Sequence, residues 1–224
     1  MLQRLSRSFV LLLALCLATP AALAQVAGLT EGIDYRVIAD GAPYRPLEGK
    51  VEIAEVFAYG CRHCADMAPK LEAWKRTLPA NVRVTYVPAA WRSNDPWTQA
   101  FFAAETSGAL AASHEAMFRA VHVDRALPGN ATLTELGSFY GALPGVDGKA
   151  FAAALRDIDA INAKAENAHA FVVRSGIEGT PSIVVNGRYL VLGTSHEGLL
   201  ANAARIAAAL APAQTRPSTT RKAR

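Results

Sequence analysis

Cysteine is scarce in this chain. Only Cys16, Cys61 and Cys64 occur in 224 residues. So few exclude a scaffold held by several disulfides, and a four-cysteine zinc site. A zinc site built on Cys61 and Cys64 needs two further ligands. His114, His122, His169 and His196 show no paired metal-ligand spacing, so no metal and no other cofactor is expected. Membrane-length apolar runs are missing too: the N-terminal stretch from Phe9 to Ala18 is too short to span a bilayer. A basic surplus is likewise absent from the body of the chain. Six of the 23 basic residues lie in the first seven or last nine positions, and the remaining 17 face 19 acidic ones. Nucleic acid is therefore not an expected partner.

What is there begins with an export signal. Arg4 and Arg7 precede the apolar stretch, Thr19-Pro20 breaks it, and Ala22-Leu23-Ala24 is an A-x-A cleavage site. A lipoprotein signal ending at Cys16 fits less well, because Leu15 is bulky where a small residue is needed. Cleavage after Ala24 removes Cys16 and delivers one dithiol to an oxidising space, the periplasm. About 200 residues remain, enough for one domain with a sizeable core. The end, 212–224, is basic and without apolar periodicity, and is expected to be disordered.

Between these ends the pattern is strand, helix, strand, helices, strands, helix. Tyr35 to Ile38 is a short extended piece. Val51 to Tyr59 is apolar and partly β-branched, a buried strand ended by Gly60. A helix follows from Cys61 toward Thr77, with Met67, Leu71, Trp74 and Leu78 on one face. Val82 to Val87 is the next strand. Residues 94–175 read as helical. Asp95-Pro96 opens the first helix, Ser113 precedes a second, and the capping box Thr132 to Glu135 opens a third. Lys149 to Ala160 and Ile161 to Val173 complete the block. Pro181 to Val185 and Arg188 to Leu192 flank Asn186-Gly187, a hairpin signal. A second capping box, Thr194 to Glu197, opens a closing helix through Leu210.

The chemistry lies in Cys61-Arg62-His63-Cys64 at the first strand-to-helix junction. Residues three apart on a helix share a face, so the two sulfurs reach disulfide distance with little backbone movement. The first thiol sits at the positive helix end, which favours the thiolate. One sulfur attacks and the other resolves. A purely structural role for so small a loop is disfavoured, because it constrains the unfolded chain little.

An exported chain with this order, Cys-x-His-Cys, Thr180-Pro181, hairpin and closing helix resembles the DsbA-type thiol:disulfide oxidoreductases. The resemblance covers about residues 30–211 and implies an α/β thioredoxin fold with an inserted helical subdomain. It places the thioredoxin-like part at 25–93 and 176–211, and the insertion at 94–175. It implies that Cys61 and Cys64 form the redox-active disulfide and that His63 tunes it. Glu55, six residues before Cys61, matches the family's buried acid. Thr180 and a cis Pro181 match the loop that faces the dithiol and binds substrate. The expected partners are unfolded exported proteins with reduced cysteines and a quinone-linked membrane oxidase of the DsbB type. A monomer is expected. The family usually has proline where this chain has Arg62, which restores a backbone donor and adds a cation beside the thiol.

Two other functions fit parts of the pattern. An isomerase or reductase of this kind carries a dimerisation domain before the dithiol, and the residues between Ala24 and Lys50 are too few for one. A holdase or peptide-binding module with an incidental dithiol is the alternative of a different class.

Overall fold

Val51–Phe57 (β2) is buried along its whole length, and the molecule is arranged around it. The computed structural model describes residues 25–92 and 94–211. The signal segment 1–24, its cleavage after Ala24 and the tail 212–224 lie outside the described residues. β2 pairs in parallel with Val82–Pro88 (β3) and antiparallel with Ser182–Val185 (β4). Tyr189–Val191 (β5) and Tyr35–Val37 (β1) extend the sheet in the order β1-β5-β4-β2-β3. A central strand is covered on both faces, which is why its sequence lacks a clean polar alternation.

Arg62–Lys75 (α1) crosses over between the two parallel strands, and His196–Leu210 (α7) packs beside it. Their buried residues Met67, Leu71, Leu200, Ala203 and Ile206 close one apolar cluster over Val51, Ile53, Ile183 and Val185. Ala54 and Val56 point into a second cluster on the opposite side. That cluster is filled by five helices inserted between β3 and β4. They are Pro96–Thr106 (α2), Leu110–His122 (α3), Leu133–Ala142 (α4), Gly148–Arg156 (α5) and Ile158–Arg174 (α6). α2 is buried from Thr98 through Ala104, so Phe101 and Phe102 sit inside the helical block. Each phenylalanine so buried stabilises the fold by about 1.5–3 kcal/mol. The result is the expected thioredoxin sheet with a helical insertion.

The local signals held where side chains close helix ends. Asp95 accepts from Thr98 N at 2.9 Å, and Thr132 with Glu135 forms both halves of its box. Three expectations need correction. Ser113 does not precede α3 but lies inside it, buried, with its hydroxyl donating to Ala109 O. The break near residue 160 falls instead at Asp157, which ends α5 and caps α6 through Ala160 N. At α7 the cap is Ser195, bonded to Gly198 N, so the N3 position falls on a glycine and no box forms; Glu197 pairs with Lys70 instead.

Candidate active site

β2 ends at Phe57, two residues before the strand reading, because the chain turns there. Ala58 O accepts from Cys61 N at 3.0 Å, and Cys61 becomes the N-cap of α1. Its Sγ accepts from Cys64 N at 3.4 Å, so the sulfur occupies the place of a capping oxygen. Cys61 is partly exposed, whereas Cys64 is fully buried one turn on. Both are free thiols. Burial pushes the Cys64 thiol well above its usual value, so this sulfur holds its proton firmly.

The segment before β4 comes back across the dithiol. The Thr180–Pro181 peptide is cis, and the Cys61 thiol donates to Thr180 O at 3.2 Å. Five residues of the expected site, Cys61, His63, Cys64, Thr180 and Pro181, thus meet at one end of the sheet. The imidazole of His63 faces His196 on α7 across a cleft of about 410 Å³. Thr180, Pro181, Gly193, Lys70 and Glu197 also line that cleft. Arg62 departs from expectation. Its guanidinium pairs with Asp66 at 3.0 Å on the exposed side of α1, so its charge is answered there rather than at the thiol.

Glu55 lies on β2 and is 1 % exposed. Its Oε1 is buried with no hydrogen-bond partner. Burial, reinforced by the Glu72 carboxylate and opposed by the Lys75 ammonium, pushes its pKa up to about 8. A carboxyl group of that kind stays neutral through most of the physiological range and can hand over a proton. The residues around it were not visible in the sequence. Tyr86 stands opposite Glu55 in the β2–β3 register. Its hydroxyl donates to Glu72, and Lys75 Nζ bonds both Glu72 (2.9 Å) and the Tyr86 hydroxyl (3.1 Å). The ring of His114 lies 4.2 Å from that of Tyr86, with its Nδ1 on the Tyr59 hydroxyl at 2.9 Å. Burial pushes His114 down to about 3, so it stays neutral. The only advance signal for this cluster was the Glu72 to Lys75 spacing on one helix face.

With the geometry in place, comparison with known proteins is informative. The family model for thioredoxin matches residues 47–201. The chain is similar to the thiol:disulfide interchange protein DsbA of Burkholderia cepacia, with 32% identity over 181 residues, covering 80% of this chain and 83% of that one. It is similar to the protein of the same name from Pseudomonas aeruginosa, with 31% identity over 169 residues, 74% of this chain and 77% of the other. Among solved structures, oxidoreductase DsbA from Xylella fastidiosa superposes with a TM-score of 0.75 at 37% identity, covering 80% of this chain and 96% of that one. Pseudomonas aeruginosa DsbA gives 0.70 at 29% identity, with 80% and 93% covered.

Proposed function

The chain belongs to the DsbA-type thiol:disulfide oxidoreductases of the thioredoxin superfamily, and from that membership we propose that Cys61 and Cys64 are the pair it uses to oxidise folding exported proteins. The protein is a thiol:disulfide interchange enzyme, a dithiol oxidase. The observation that carries the residue roles is the partly exposed Cys61 thiol at a helix N-cap, hydrogen-bonded to Thr180 O, above a sealed Cys64.

The steps follow from these positions. A substrate thiolate attacks Cys61 Sγ of the Cys61–Cys64 disulfide. The S–S bond breaks, and Cys64 leaves with the electron pair. Burial disfavours an anion there, so Cys64 takes up a proton, and Glu55, a buried acid with a raised pKa, would supply it. A second substrate thiolate then attacks the substrate sulfur of the mixed disulfide. The substrate disulfide forms and Cys61 leaves as a thiolate. The substrate loses two electrons, and the Cys61–Cys64 pair gains them. An extended substrate would pair with the backbone of Thr180, before Pro181. A quinone-linked membrane oxidase of the DsbB type would restore the disulfide, in the periplasm, after removal of residues 1–24. The protein would act as a monomer.

The test is oxidation of a reduced unfolded protein at pH 7. Cys61→Ser should abolish it. Cys64→Ala should accumulate a mixed disulfide through Cys61 when offered a substrate disulfide, and iodoacetamide should label Cys61 far faster than Cys64. Labelling of Cys64 first, or oxidation that survives Cys61→Ser, would overturn the assignment. The equilibrium of the dithiol against glutathione then measures how strongly oxidising the pair is.

A further inference from the structure

We infer that His196 is a specificity-determining residue: with His63 it presents two imidazole donors across the substrate cleft and favours substrates that carry a carboxylate beside the reacting cysteine. The inference rests on the proposed function, since the cleft matters only if substrate cysteines enter it.

The chain has five histidines. Three are engaged inside the protein: His114 with the Tyr59 hydroxyl, His122 with Tyr59 O at 2.7 Å, and His169 with Ala90 O at 3.2 Å. Among the described residues the other two, His63 and His196, have no such partner. Their rings face each other with centroids 6.4 Å apart, inclined at 72°. His63 stands on the first turn of α1, between the two cysteines. His196 is the first residue of α7, held in place by the Ser195 cap. The cleft between them opens directly beside Thr180-Pro181.

The formal charges on the rim are already answered. Lys70 pairs with Glu197 at 2.6 Å, and Arg62 with Asp66 at 3.0 Å. A charged substrate side chain gains little from either pair without breaking it. The imidazoles are different. A neutral imidazole always carries one N–H donor, and its cation carries two. Both forms bond a carboxylate, and the cation attracts it as well. A metal is not the better occupant, because no group of three or more His, Cys, Asp or Glu among the described residues can hold one. The acidic substrate also meets no repulsion at the reacting sulfur. It approaches the oxidised protein, in which Cys61 is bound in the disulfide and carries no negative charge.

The experiment offers the oxidised protein two dithiol peptides, identical except for Glu or Gln beside the first cysteine, and measures second-order rates of peptide oxidation at pH 6.5. The expected result is a preference for the Glu peptide of roughly three- to tenfold, the range of one partly exposed charge-assisted hydrogen bond. His196→Ala should bring the ratio to about one, and His196→Lys, which keeps an N–H donor at that position, should preserve it. A ratio of one in the unaltered protein, or a ratio that His196→Ala leaves intact, overturns the inference. Failure of the proposed function looks different, because then neither peptide is oxidised.

Discussion

Two carboxylates on one strand meet opposite fates. Glu52 and Glu55 are three residues apart on β2, so they point to opposite faces of the sheet. Both are sealed from solvent. Glu52 accepts from Tyr44 N at 2.7 Å, Arg45 N at 3.1 Å, the Thr85 hydroxyl at 3.0 Å and Arg83 at 3.3 Å. It is a structural anion that ties the N-terminal segment to the sheet. Glu55 has a bare Oε1 instead. Its pKa rises from 4.5 to about 8 in the folded protein. Across that window the folded state holds the proton and the unfolded state does not, so stability falls as pH rises. Glu55→Gln removes the penalty. The variant should match the unaltered protein in thermal stability near pH 4.5 and exceed it increasingly toward pH 8, by on the order of 3 kcal/mol at pH 7. It should also slow protonation of Cys64 in mixed-disulfide formation while leaving alkylation of Cys61 fast. A stability margin independent of pH would remove Glu55 as a titrating group. The sequence showed Glu55 only through its offset from Cys61. Tyr86, Glu72, Lys75 and His114 stayed hidden, because a parallel register and the docking of α3 depend on contacts between distant segments.

At the scale of elements, legibility followed locality. Asp95, Thr132 and Asn186-Gly187 act within a few residues, and each was readable. Asn186 and Gly187 take φ of 50° and 65°, as a two-residue hairpin turn requires. The junction at Asp157 was misplaced, since one residue ends α5 through its backbone N–H and starts α6 through its side chain, with no intervening turn residue. Ser195 was passed over because Thr194 and Glu197 have the spacing of a box, whereas the helix starts one residue later with Gly198 at the N3 position. The hairpin turn also carries a constraint that no local pattern reveals. A Cβ on Gly187 would overlap the Ala42 carbonyl, and one on Gly41 would overlap Gly187 O. The turn is pressed against the segment that leads into β2. Gly187→Ala therefore meets both an unfavourable φ and backbone overlap. It should lower stability by about 3 kcal/mol, the upper end of overpacking costs, visible as a drop in Tm of roughly 6–12 °C. A loss below about 1 °C would mean that residues 41–43 move aside freely.

For the molecule as a whole, two buried groups set opposed pH limits. Glu55 costs stability as pH rises from 4.5 to about 8. His114 is pushed from 6.5 down to about 3, chiefly by burial, so its contribution is full above 6.5 and lost as pH falls toward 3. Between pH 4.5 and 6.5 the two slopes cancel. Stability of the reduced protein, followed as urea midpoint from pH 3 to 9, should show an acidic plateau that declines on both sides. Glu55→Gln should flatten the alkaline limb and turn the plateau into a rise that continues to pH 6.5, because the His114 slope is then unopposed. A single maximum near pH 8 would contradict the Glu55 assignment, and stability that does not fall below pH 4.5 would contradict that of His114. The fold was legible at this scale because strand and helix periods and the dithiol position are written in the chain. The direction in which the two helices point was not, and it has a practical consequence. α1 and α7 both start at the dithiol cleft and run away from it. Arg205, far along α7, bonds Gly28 O, and Val26 and Leu29 pack beneath the same helix. Over the 15 residues of α7 the chain travels about 21 Å from the cleft. The two ends of the described chain therefore leave from the pole opposite the reacting sulfur. A handle or fused protein joined directly at Gln25 or Ala211 holds the enzyme from behind and leaves its redox face open. Immobilised by either end, it should oxidise a dithiol peptide as fast as it does free in solution.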